Sequence, residues 1–137
     1  MKVEVYLNFA GNCEEAMKTY EKVFNGKNME IMRYSDIPNT SDFPTSEDQK
    51  NMVLHGEMTI GDTNFNFSDT PGQYVHGNMM SVALRVNTAE EVKTFFEGLK
   101  KGATIHMDIG ETFFSDLYVF FTDRFGVNWQ FVVVKDE

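Results

Sequence analysis

The sequence predicts an α+β fold built from two tandem βαβββ modules. A helical segment at residues 12–26, NCEEAMKTYEKVFNG, returns 76 residues later at residues 88–102 as TAEEVKTFFEGLKKG. Strand-like alternation of apolar and polar residues surrounds each copy. A repeat spacing of more than half of the 137 residues indicates a duplicated unit and not a short solenoid repeat. We therefore expect two mixed sheets that curve around a shared cavity, with the helices on the outer faces.

Both copies of the repeat carry the signals of a capped amphipathic helix. Asn12 is predicted to accept a hydrogen bond from a first-turn N–H, and Glu15 completes a capping box near the positive end of the helix dipole. Thr88 and Glu91 take the same places in the second copy. Apolar residues at i, i+4 and i+7 give each helix one buried stripe. The predicted left-handed residues that end the two helices are Gly26 and Gly102.

The other elements of the first module follow from period-2 alternation. The last two strands form a predicted hairpin around Gly61 and Asp62. Residues 36–50 contain two prolines and many Ser, Thr, Asp and Asn, which indicates a loop of the length typical of a lid or mobile insertion. The predicted strands cover residues 3–9, 29–35, 52–60 and 63–68.

The second module repeats this pattern after a linker at about residues 69–78. Its strands match those of the first module at a spacing of 75, one less than the helices, which predicts one extra residue in the second strand-to-helix turn. We expect a single domain, with module one at about residues 1–70 and module two at about 79–137. The predicted strands cover residues 79–86, 104–109, 117–123 and 128–134.

Composition limits the classes of protein to which this chain can belong. The net charge of −9 repels phosphate backbones, so we expect no nucleic-acid partner. A single cysteine excludes an internal disulfide and a cysteine-based zinc cluster. No apolar run reaches the roughly 20 residues of a membrane span, and the start of the chain shows strand alternation instead of a signal peptide. We therefore expect a soluble cytoplasmic protein with no membrane contact.

Three segments carry a resemblance to a known family. They are YLNFAGNCEEAMKTYEKVF near the start, the hairpin HGEMTIGDTNFNFSD and the ending TDRFGVNWQF. With them, nearly the whole chain resembles the PhnB-like branch of the vicinal oxygen chelate superfamily, which includes glyoxalase I, extradiol dioxygenases and the fosfomycin and bleomycin resistance proteins. The resemblance implies paired βαβββ modules, a small-molecule ligand and a homodimer. One scaffold hosts many functions, so the resemblance predicts fold more strongly than activity.

The resemblance also implies where the superfamily's metal would bind. Its ligands come from the first and last strands of each module, and metal-dependent relatives place His or Glu there. By register these positions fall on neutral residues, which give a divalent ion little affinity, so we expect no metal held in the usual way and no cofactor. The glycines form neither GxGxxG nor a P-loop, which also disfavours a methyltransferase. The four positions are Tyr6, Asn66, Ser81 and Gln130.

One pair of side chains is a candidate for chemistry. His55 and Glu57 alternate onto the same face of a predicted strand, where a carboxylate beside an imidazole makes a plausible proton-handling pair. The favoured interpretation is a structural hydrogen bond between the two, and both residues remain the catalytic candidates. The predicted cavity residues are Tyr6, Asn8, His55, Glu57, Asn66, Ser81, Tyr118, Phe120 and Gln130.

The other reactive or large side chains are predicted to have no catalytic role. Cys13 is expected to be a small, partly buried residue near a helix cap and not a reactive thiol, because neighbouring glutamates oppose a thiolate. His76 and His106 lack ligand spacing, so we expect them at a surface or interface. Phe113 or Phe114 is positioned to cap the cavity.

Two classes of function follow. The first is a metal-free protein that binds a small, partly aromatic or polar molecule in the cavity. The second is a lyase, transferase or dioxygenase whose divalent ion is bound in a non-standard way, through His55 and Glu57. A weaker third class is an interaction protein that uses the acidic loop at residues 36–50 as its contact surface. The sequence leaves open which ligand is bound and whether any reaction is catalysed.

Overall fold

The computed structural model describes residues 1–38, 46–70, 72 and 75–135. The chain divides into two compact units, Met1–Tyr74 (unit 1) and Val75–Glu137 (unit 2). A short 3-10 turn at Tyr34–Asp36 leads into the predicted loop, and a second at Glu47–Gln49 lies near its end. Outside the described residues lie residues 39–45 of that loop and residues 71, 73 and 74 of the predicted linker.

Unit 1 is a four-stranded mixed sheet with one helix. The strand order is β1-β4-β3-β2, in which β1 runs parallel to β4 and β3 is antiparallel to both of its neighbours. Gly61 forms the β3–β4 turn with a φ of 61°, a conformation that glycine adopts at little cost, so the predicted hairpin is confirmed. The elements are β1 (Val5–Phe9), α1 (Cys13–Phe24), β2 (Lys27–Arg33), β3 (Val53–Ile60) and β4 (Thr63–Asp69).

Unit 2 has the same topology. Its strand order is β5-β8-β7-β6, with β5 parallel to β8 and the other pairs antiparallel. The β7–β8 turn forms at Gly126, whose φ is 95°. The prediction of two βαβββ modules is therefore confirmed. The elements are β5 (Val82–Val86), α2 (Ala89–Leu99), β6 (Thr104–Gly110), β7 (Tyr118–Thr122) and β8 (Asn128–Val133).

In each unit the helix buries an apolar stripe against one face of its sheet. Tyr20 of α1 stacks near Phe67 of β4 with ring centroids 6.3 Å apart. Phe96 of α2 meets Phe121 of β7 edge-on, with centroids 5.1 Å apart. All four side chains are buried, and removing each from water contributes on the order of 2 kcal/mol. The helix-free face of each sheet is therefore the one whose side chains can meet a ligand.

The end of α1 differs from the prediction, and the two ends of α2 agree with it. Thr88 accepts a hydrogen bond from the N–H of Glu91 at 3.2 Å, as the capping box requires. Gly102 takes the left-handed conformation after α2, with a φ of 76°. After α1 the left-handed residue is Asn25, with a φ of 56°, and not Gly26. Asn tolerates this conformation better than most residues, so it replaces glycine there.

The predicted cap at the start of α1 is wrong. The side chain of Asn12 makes no capping hydrogen bond. The buried carboxylate of Asp69 replaces it, because its Oδ1 accepts from the N–H groups of Gly11 at 2.8 Å and Cys13 at 3.0 Å. Its Oδ2 accepts from the N–H of Val53 at 3.0 Å. One carboxylate thus caps the helix and fixes the start of β3, with charge-assisted bonds stronger than those of a neutral cap.

Two glycines of unit 1 allow methionine side chains to approach the backbone. A Cβ at Gly56 of β3 would lie 2.5 Å from the Met17 methyl carbon of α1. A Cβ at Gly26 would lie 2.2 Å from the Met58 sulfur. Both distances are far below van der Waals contact, so these positions exclude a side chain unless the methionines move. Close packing, and not a positive φ, explains why Gly26 is glycine.

The predicted strand register between the modules is wrong by two residues. Val5 and Val82 begin the parallel edge strands, so the spacing is 82 − 5 = 77 and not 75. Tyr6 therefore corresponds to Ala83, not to Ser81. Three residues separate β1 from α1 and two separate β5 from α2, so the second turn is one residue shorter and not longer.

Several predicted strand boundaries shift by one to three residues. β1 starts at Val5 because Val3 is 84% exposed, and β5 starts at Val82 because Met79 is 92% exposed. β2 covers Lys27–Arg33 and ends there because the chain turns into a 3-10 conformation at Tyr34.

In the described part of the chain, neither helix is long and apolar enough to cross a membrane.

Candidate functional site

The helix-free face of unit 1 carries a grid of mostly polar side chains, called here the unit 1 face. One row runs across all four strands, because Glu57 pairs with both Glu30 and Asn66, and Asn66 pairs with Tyr6. In the next row Met32 lies opposite His55, and Ser68 lies opposite Asn8. The structure thus places five predicted cavity residues on one face, namely Tyr6, Asn8, His55, Glu57 and Asn66.

A chain of hydrogen bonds runs across the unit 1 face. The Tyr6 hydroxyl contacts Nδ1 of His55 at 3.3 Å and also the hydroxyl of Ser68. Nε2 of His55 contacts the Glu57 carboxylate at 3.2 Å. Ser68 donates to the carbonyl of Leu54 at 2.8 Å. Strands β1, β3 and β4 therefore hold one phenol, one imidazole, one carboxylate and one serine hydroxyl in a fixed sequence.

An open depression of about 540 Å³ lies against this chain. Two carboxylates, an imidazole and the Met32 side chain surround it, whereas Ile31 pairs with Gly56 on the side of the sheet that faces α1. The cross-strand pair of Glu30 and Glu57 puts two like charges on one side. The size is in the range of small-molecule sites. The lining residues are Glu30, Ile31, Met32, His55 and Glu57.

Asn66 at the centre of the grid is held by Glu4, which precedes β1, and by the first residue of β1. Its amide Nδ2 donates to the Glu4 carboxylate at 2.8 Å and to the carbonyl of Val5 at 3.3 Å. The hydrogen bond from Asn66 lowers the pKa of Glu4, with a further contribution from Lys2 at 3.1 Å. Both donor hydrogens of Asn66 are therefore engaged within the protein.

The helix-free face of unit 2, called here the unit 2 face, has different chemistry at the same places. Gln130 takes the position of Asn66, because it pairs with Phe120 on one side and Ala83 on the other. Tyr118 donates its hydroxyl hydrogen to Oε1 of Gln130, and Nε2 of Gln130 donates to Ser81 at 2.7 Å. Burial raises the pKa of Tyr118. This chain is neutral throughout.

These contacts decide whether the four positions implied by the superfamily fit a metal. By register, Ser81 of unit 2 corresponds to Glu4 of unit 1 and not to Tyr6. Tyr6 and Ser81 are therefore not equivalent positions of the two modules. The amides of Asn66 and Gln130 donate to neighbouring groups, and the oxygen of Gln130 already accepts from Tyr118. No group of three or more His, Cys, Asp or Glu side chains among the described ranges is arranged to hold a metal ion. The residues therefore do not fit the usual metal.

The structure also shows the surroundings of the remaining cysteine, histidine and phenylalanine candidates. Cys13 is fully buried, and burial followed by the nearby Asp69 raises the pKa of its thiol, so the expectation of an unreactive cysteine agrees with its environment. His106 is exposed, with Nε2 bonded to Thr122 at 2.7 Å. Phe113 is exposed on unit 2, and Phe114 packs edge-on against Tyr118 with ring centroids 5.0 Å apart. His76 is also exposed.

Two residues of the unit 1 face, Ser68 and Glu30, were not predicted from the sequence. Ser68 is buried at the end of β4, where alternation with Asn66 predicts its face but gives no sign of its bond to Tyr6. Glu30 of β2 pairs with Glu57 through a strand pair that contains two register irregularities, so alternation alone could not place it.

Comparison with known proteins identifies the relatives of this fold. A family model with the description 3-demethylubiquinone-9 3-methyltransferase matches residues 1–132. Protein PA1353 from Pseudomonas aeruginosa is 29% identical and superposes with a TM-score of 0.83 over 99% of each chain. A putative 3-demethylubiquinone-9 3-methyltransferase, PhnB protein, from Bacillus cereus is 26% identical, with a TM-score of 0.79 over 98% of this chain and 100% of that chain.

A more distant likeness extends to an antibiotic resistance protein. A mutant of the fosfomycin resistance protein FosX from Listeria monocytogenes, complexed with Mn(II) and 1S,2S-dihydroxypropylphosphonic acid, has a TM-score of 0.62. It is 12% identical and covers 98% of this chain and 92% of that chain, so this likeness concerns the fold alone. Together these matches confirm the predicted resemblance to the PhnB-like branch of the vicinal oxygen chelate superfamily.

Proposed function

The chain belongs to the 3-demethylubiquinone-9 3-methyltransferase family, and we propose that it is a small-molecule-binding protein that works without the superfamily's usual catalytic metal. The observation that carries this proposal is the Tyr6–His55–Glu57 hydrogen-bonded chain beside a depression of about 540 Å³. Convergent polar groups that orient a ligand are typical of binding sites, and this depression carries an imidazole and two carboxylates. In this proposal the unit 1 face supplies the polar contacts that orient the ligand.

The donor chemistry supports binding without a metal. A divalent transition metal needs three or four strong donors, such as imidazole nitrogens and carboxylates. The positions implied by the superfamily offer a phenol, a hydroxyl and two amides, all neutral donors, and the Gln130 amide oxygen already accepts a hydrogen bond from Tyr118. Such groups are better suited to hydrogen bonding with an organic ligand.

A second candidate function rests on the pair of His55 and Glu57. Their 3.2 Å contact brings a nitrogen and a carboxylate donor together at the depression. A divalent ion held there with solvent would make the protein a lyase, transferase or dioxygenase with a non-standard metal site. FosX, which has the same fold, binds Mn(II). Two protein donors give lower affinity than the three or four of a dedicated site, so this candidate ranks second.

Elemental analysis separates the two candidates. Protein purified without chelator should contain less than about 0.1 divalent ion per chain, and soaking with Zn²⁺, Mn²⁺ or Mg²⁺ followed by desalting should not change this content. A His55→Ala variant provides the matched control for adventitious binding. A stoichiometric metal that the wild type retains and His55→Ala loses would overturn the metal-free proposal in favour of the second candidate.

The proposal includes a homodimer, which the superfamily resemblance implies. Support comes from β6, an edge strand of unit 2 on which Ile105 and Met107 are partly exposed. Exposed apolar side chains on an edge strand favour association with another chain. Sedimentation equilibrium should give twice the chain mass of 15.7 kDa. A monomer at micromolar concentration would contradict this part of the proposal.

A further inference from the structure

We propose that Asn25 is a site of spontaneous deamidation which the folded end of α1 protects, so that its conversion to aspartate or isoaspartate follows the opening of α1. The sequence contains one Asn–Gly dipeptide, Asn25–Gly26, and it lies where α1 ends and β2 begins. The proposal concerns the covalent chemistry of the chain and is independent of any ligand on the unit 1 face.

The local geometry of the fold accounts for both residues of this dipeptide. Asn25 has the left-handed conformation, with a φ of 56° and a ψ of 47°, which asparagine adopts more readily than most residues. Gly26 cannot carry a side chain, because a Cβ there would lie 2.2 Å from the Met58 sulfur. The helix end and its packing against β3 thus place an asparagine directly before a glycine.

Deamidation of this pair is a ring closure followed by hydrolysis. The backbone nitrogen of Gly26 loses its hydrogen and attacks Cγ of Asn25. The new C–N bond closes a succinimide ring, the bond from Cγ to the side-chain nitrogen breaks, and ammonia leaves with the proton. Water then opens the ring at either carbonyl to give aspartate or isoaspartate. One water is consumed and one ammonia released, and glycine leaves the attacking nitrogen unshielded because it has no Cβ.

The end of α1 restrains the attacking nitrogen. The N–H of Gly26 donates to the carbonyl of Glu21 at 3.0 Å, so the hydrogen that must leave is engaged. Ring closure also needs rotation about the Asn25 ψ, which breaks this hydrogen bond. Because β2 begins at Lys27, directly after Gly26, the same rotation displaces the start of the strand. The folded chain therefore blocks the reaction.

The side chain of Asn25, in contrast, is prepared for attack. It is exposed, and Nζ of Lys27 donates to its Oδ1 at 3.1 Å. A cationic donor at this oxygen stabilises the negative charge that the oxygen gains when the nitrogen attacks. The amide is thus activated while the nucleophile is restrained. The rate is then set by how often the end of α1 opens.

The products of deamidation fit the end of α1 poorly. Aspartate at position 25 places a negative charge at the negative end of the helix dipole. Isoaspartate routes the main chain through the side-chain carbon, which inserts one extra atom before Gly26 and displaces it from Met58. Modification therefore weakens the junction of α1 and β2, and refolding does not reverse it.

Ageing of the full chain in mildly alkaline buffer tests the proposal. Mass spectrometry of proteolytic peptides gives the converted fraction at Asn25, in native protein and in the same protein unfolded in guanidinium chloride. Conversion should be at least about tenfold slower in the native protein, because only the open fraction reacts. Asn28 is the internal control: it is also left-handed, with a φ of 57°, but Met29 follows it. It should stay largely unconverted in both samples.

Phe24→Leu distinguishes local opening from global unfolding. Phe24 is the buried last residue of α1, and its ring centroid lies 6.1 Å from that of Tyr20. Its replacement should raise the native rate at Asn25 several-fold and leave the rate in guanidinium chloride unchanged. Phe96→Leu makes the same substitution in α2, where the residue is also buried, and should not change the native rate at Asn25.

Asn25→Gly tests the consequence for folding. Glycine retains the left-handed helix end but has no side-chain amide. After ageing in guanidinium chloride, this variant should regain all of its helical circular dichroism on dilution, whereas wild type should regain only part. Wild type that recovers as fully as Asn25→Gly would overturn the proposal.

Three further outcomes would overturn the proposal. They are equal conversion of Asn25 in native and unfolded protein, conversion of Asn28 as fast as that of Asn25, and equal effects of Phe24→Leu and Phe96→Leu on the native rate. The first two comparisons use wild type alone, so they decide the proposal even where a variant fails to fold.

Discussion

The two units share one topology but present different chemistry on their helix-free faces. The centre of both grids is an amide, Asn66 in unit 1 and Gln130 in unit 2. Around it unit 1 has ionisable groups, whereas unit 2 has aromatic and small side chains. Duplication therefore maintained the backbone and its central amide while the surrounding chemistry diverged. The other corresponding pairs are Tyr6 and Ala83, His55 and Tyr118, and Glu57 and Phe120.

The units also differ in how a buried carboxylate supports each fold. Asp69 of unit 1 accepts backbone N–H groups from the β1–α1 turn and from β3, which are distant in sequence. Asp123 of unit 2 accepts from Phe125, Val127 and the indole of Trp129, all within six residues. Unit 1 therefore depends on one non-local polar junction, and unit 2 on a local turn. This junction keeps β1 and β3, which carry Tyr6 and His55, in place.

The largest expected loss of stability follows from removing the Asp69 carboxylate at this junction. Asp69→Ala leaves three backbone N–H groups without their acceptor and should lower the free energy of unfolding by about 3 kcal/mol. Hydrogen–deuterium exchange should rise first in peptides from the β1–α1 turn and the start of β3. Asp62→Ala, in the exposed β3–β4 turn, is the control and should change stability little. Unchanged exchange at Cys13 and Val53 in Asp69→Ala would refute the role of this junction.

The next effect concerns the packing of α1 against β3, where Gly56 meets Met17. Gly56→Ala places a methyl group 2.5 Å from the Met17 side chain and should cost about 1–2 kcal/mol, because Met17 must adopt another rotamer. Combining it with Met17→Ala should recover part of this loss in a double-mutant cycle on urea unfolding. Gly110→Ala in unit 2, whose new Cβ would come no closer than 3.9 Å to another atom, is the control. Strict additivity would mean that Gly56 does not accommodate Met17.

The helix caps provide a smaller comparison. Thr88→Ala removes a side-chain cap and should cost about 1 kcal/mol, whereas Asn12→Ala removes no capping bond and should cost much less. Thermal unfolding of the two variants measures the difference. Equal destabilisation by both substitutions would mean that Asn12, and not Asp69 alone, caps α1.

The smallest expected effect concerns an ion pair of unit 1 whose contribution to the free energy of unfolding depends on pH. Glu14 contacts Arg33 at 2.7 Å and Lys18 at 2.9 Å, and these hydrogen bonds, that of Arg33 first, lower its pKa to about 2. A lowered pKa stabilises the protein above the ordinary glutamate pKa of about 4.3, and this contribution disappears as the pH falls towards the lowered value. Glu14→Gln should cost about 0.5 kcal/mol at neutral pH, after allowance for solvent screening.

Urea unfolding at several pH values checks this ion pair. The difference between wild type and Glu14→Gln should shrink as the pH falls below about 4. The matched control is Glu90→Gln in α2, whose partner Lys93 is 3.5 Å away and largely exposed, and it should show a smaller difference at every pH. A difference for Glu14→Gln that is independent of pH would exclude an electrostatic origin.

The fold could be predicted because its signals are local and occur twice. Helical periodicity, Thr88 as a cap and the turn at Gly61 each depend on a few neighbouring residues. The strand register could not be predicted in the same way, because spacings of 75 and 77 place the same sheet faces together and alternation cannot distinguish them. Pairing of Tyr6 with Asn66 and of Ala83 with Gln130 decides it.

The sequence predicts which side chains share a sheet face at the site, but it does not predict which of them form contacts. Alternation placed His55 and Glu57 together, and their hydrogen bond follows from that placement. The bond from Tyr6 to Ser68 joins residues 62 positions apart, and Glu30 reaches the face through an irregular strand pair. Asp69 caps a helix that begins 56 residues earlier. Such non-local contacts depend on register and side-chain direction, which a single sequence does not encode locally.

The central claim is that the unit 1 face binds a small molecule without a metal. The most direct test is a fragment screen of 15N-labelled protein by amide chemical shifts, carried out in EDTA and repeated with Zn²⁺. We predict that fragments bind in EDTA and that the largest shifts occur around Tyr6, His55, Glu57 and Asn66, with no gain from Zn²⁺. Binding that requires Zn²⁺, or shifts concentrated around Tyr118, Phe120 and Gln130, would contradict this account.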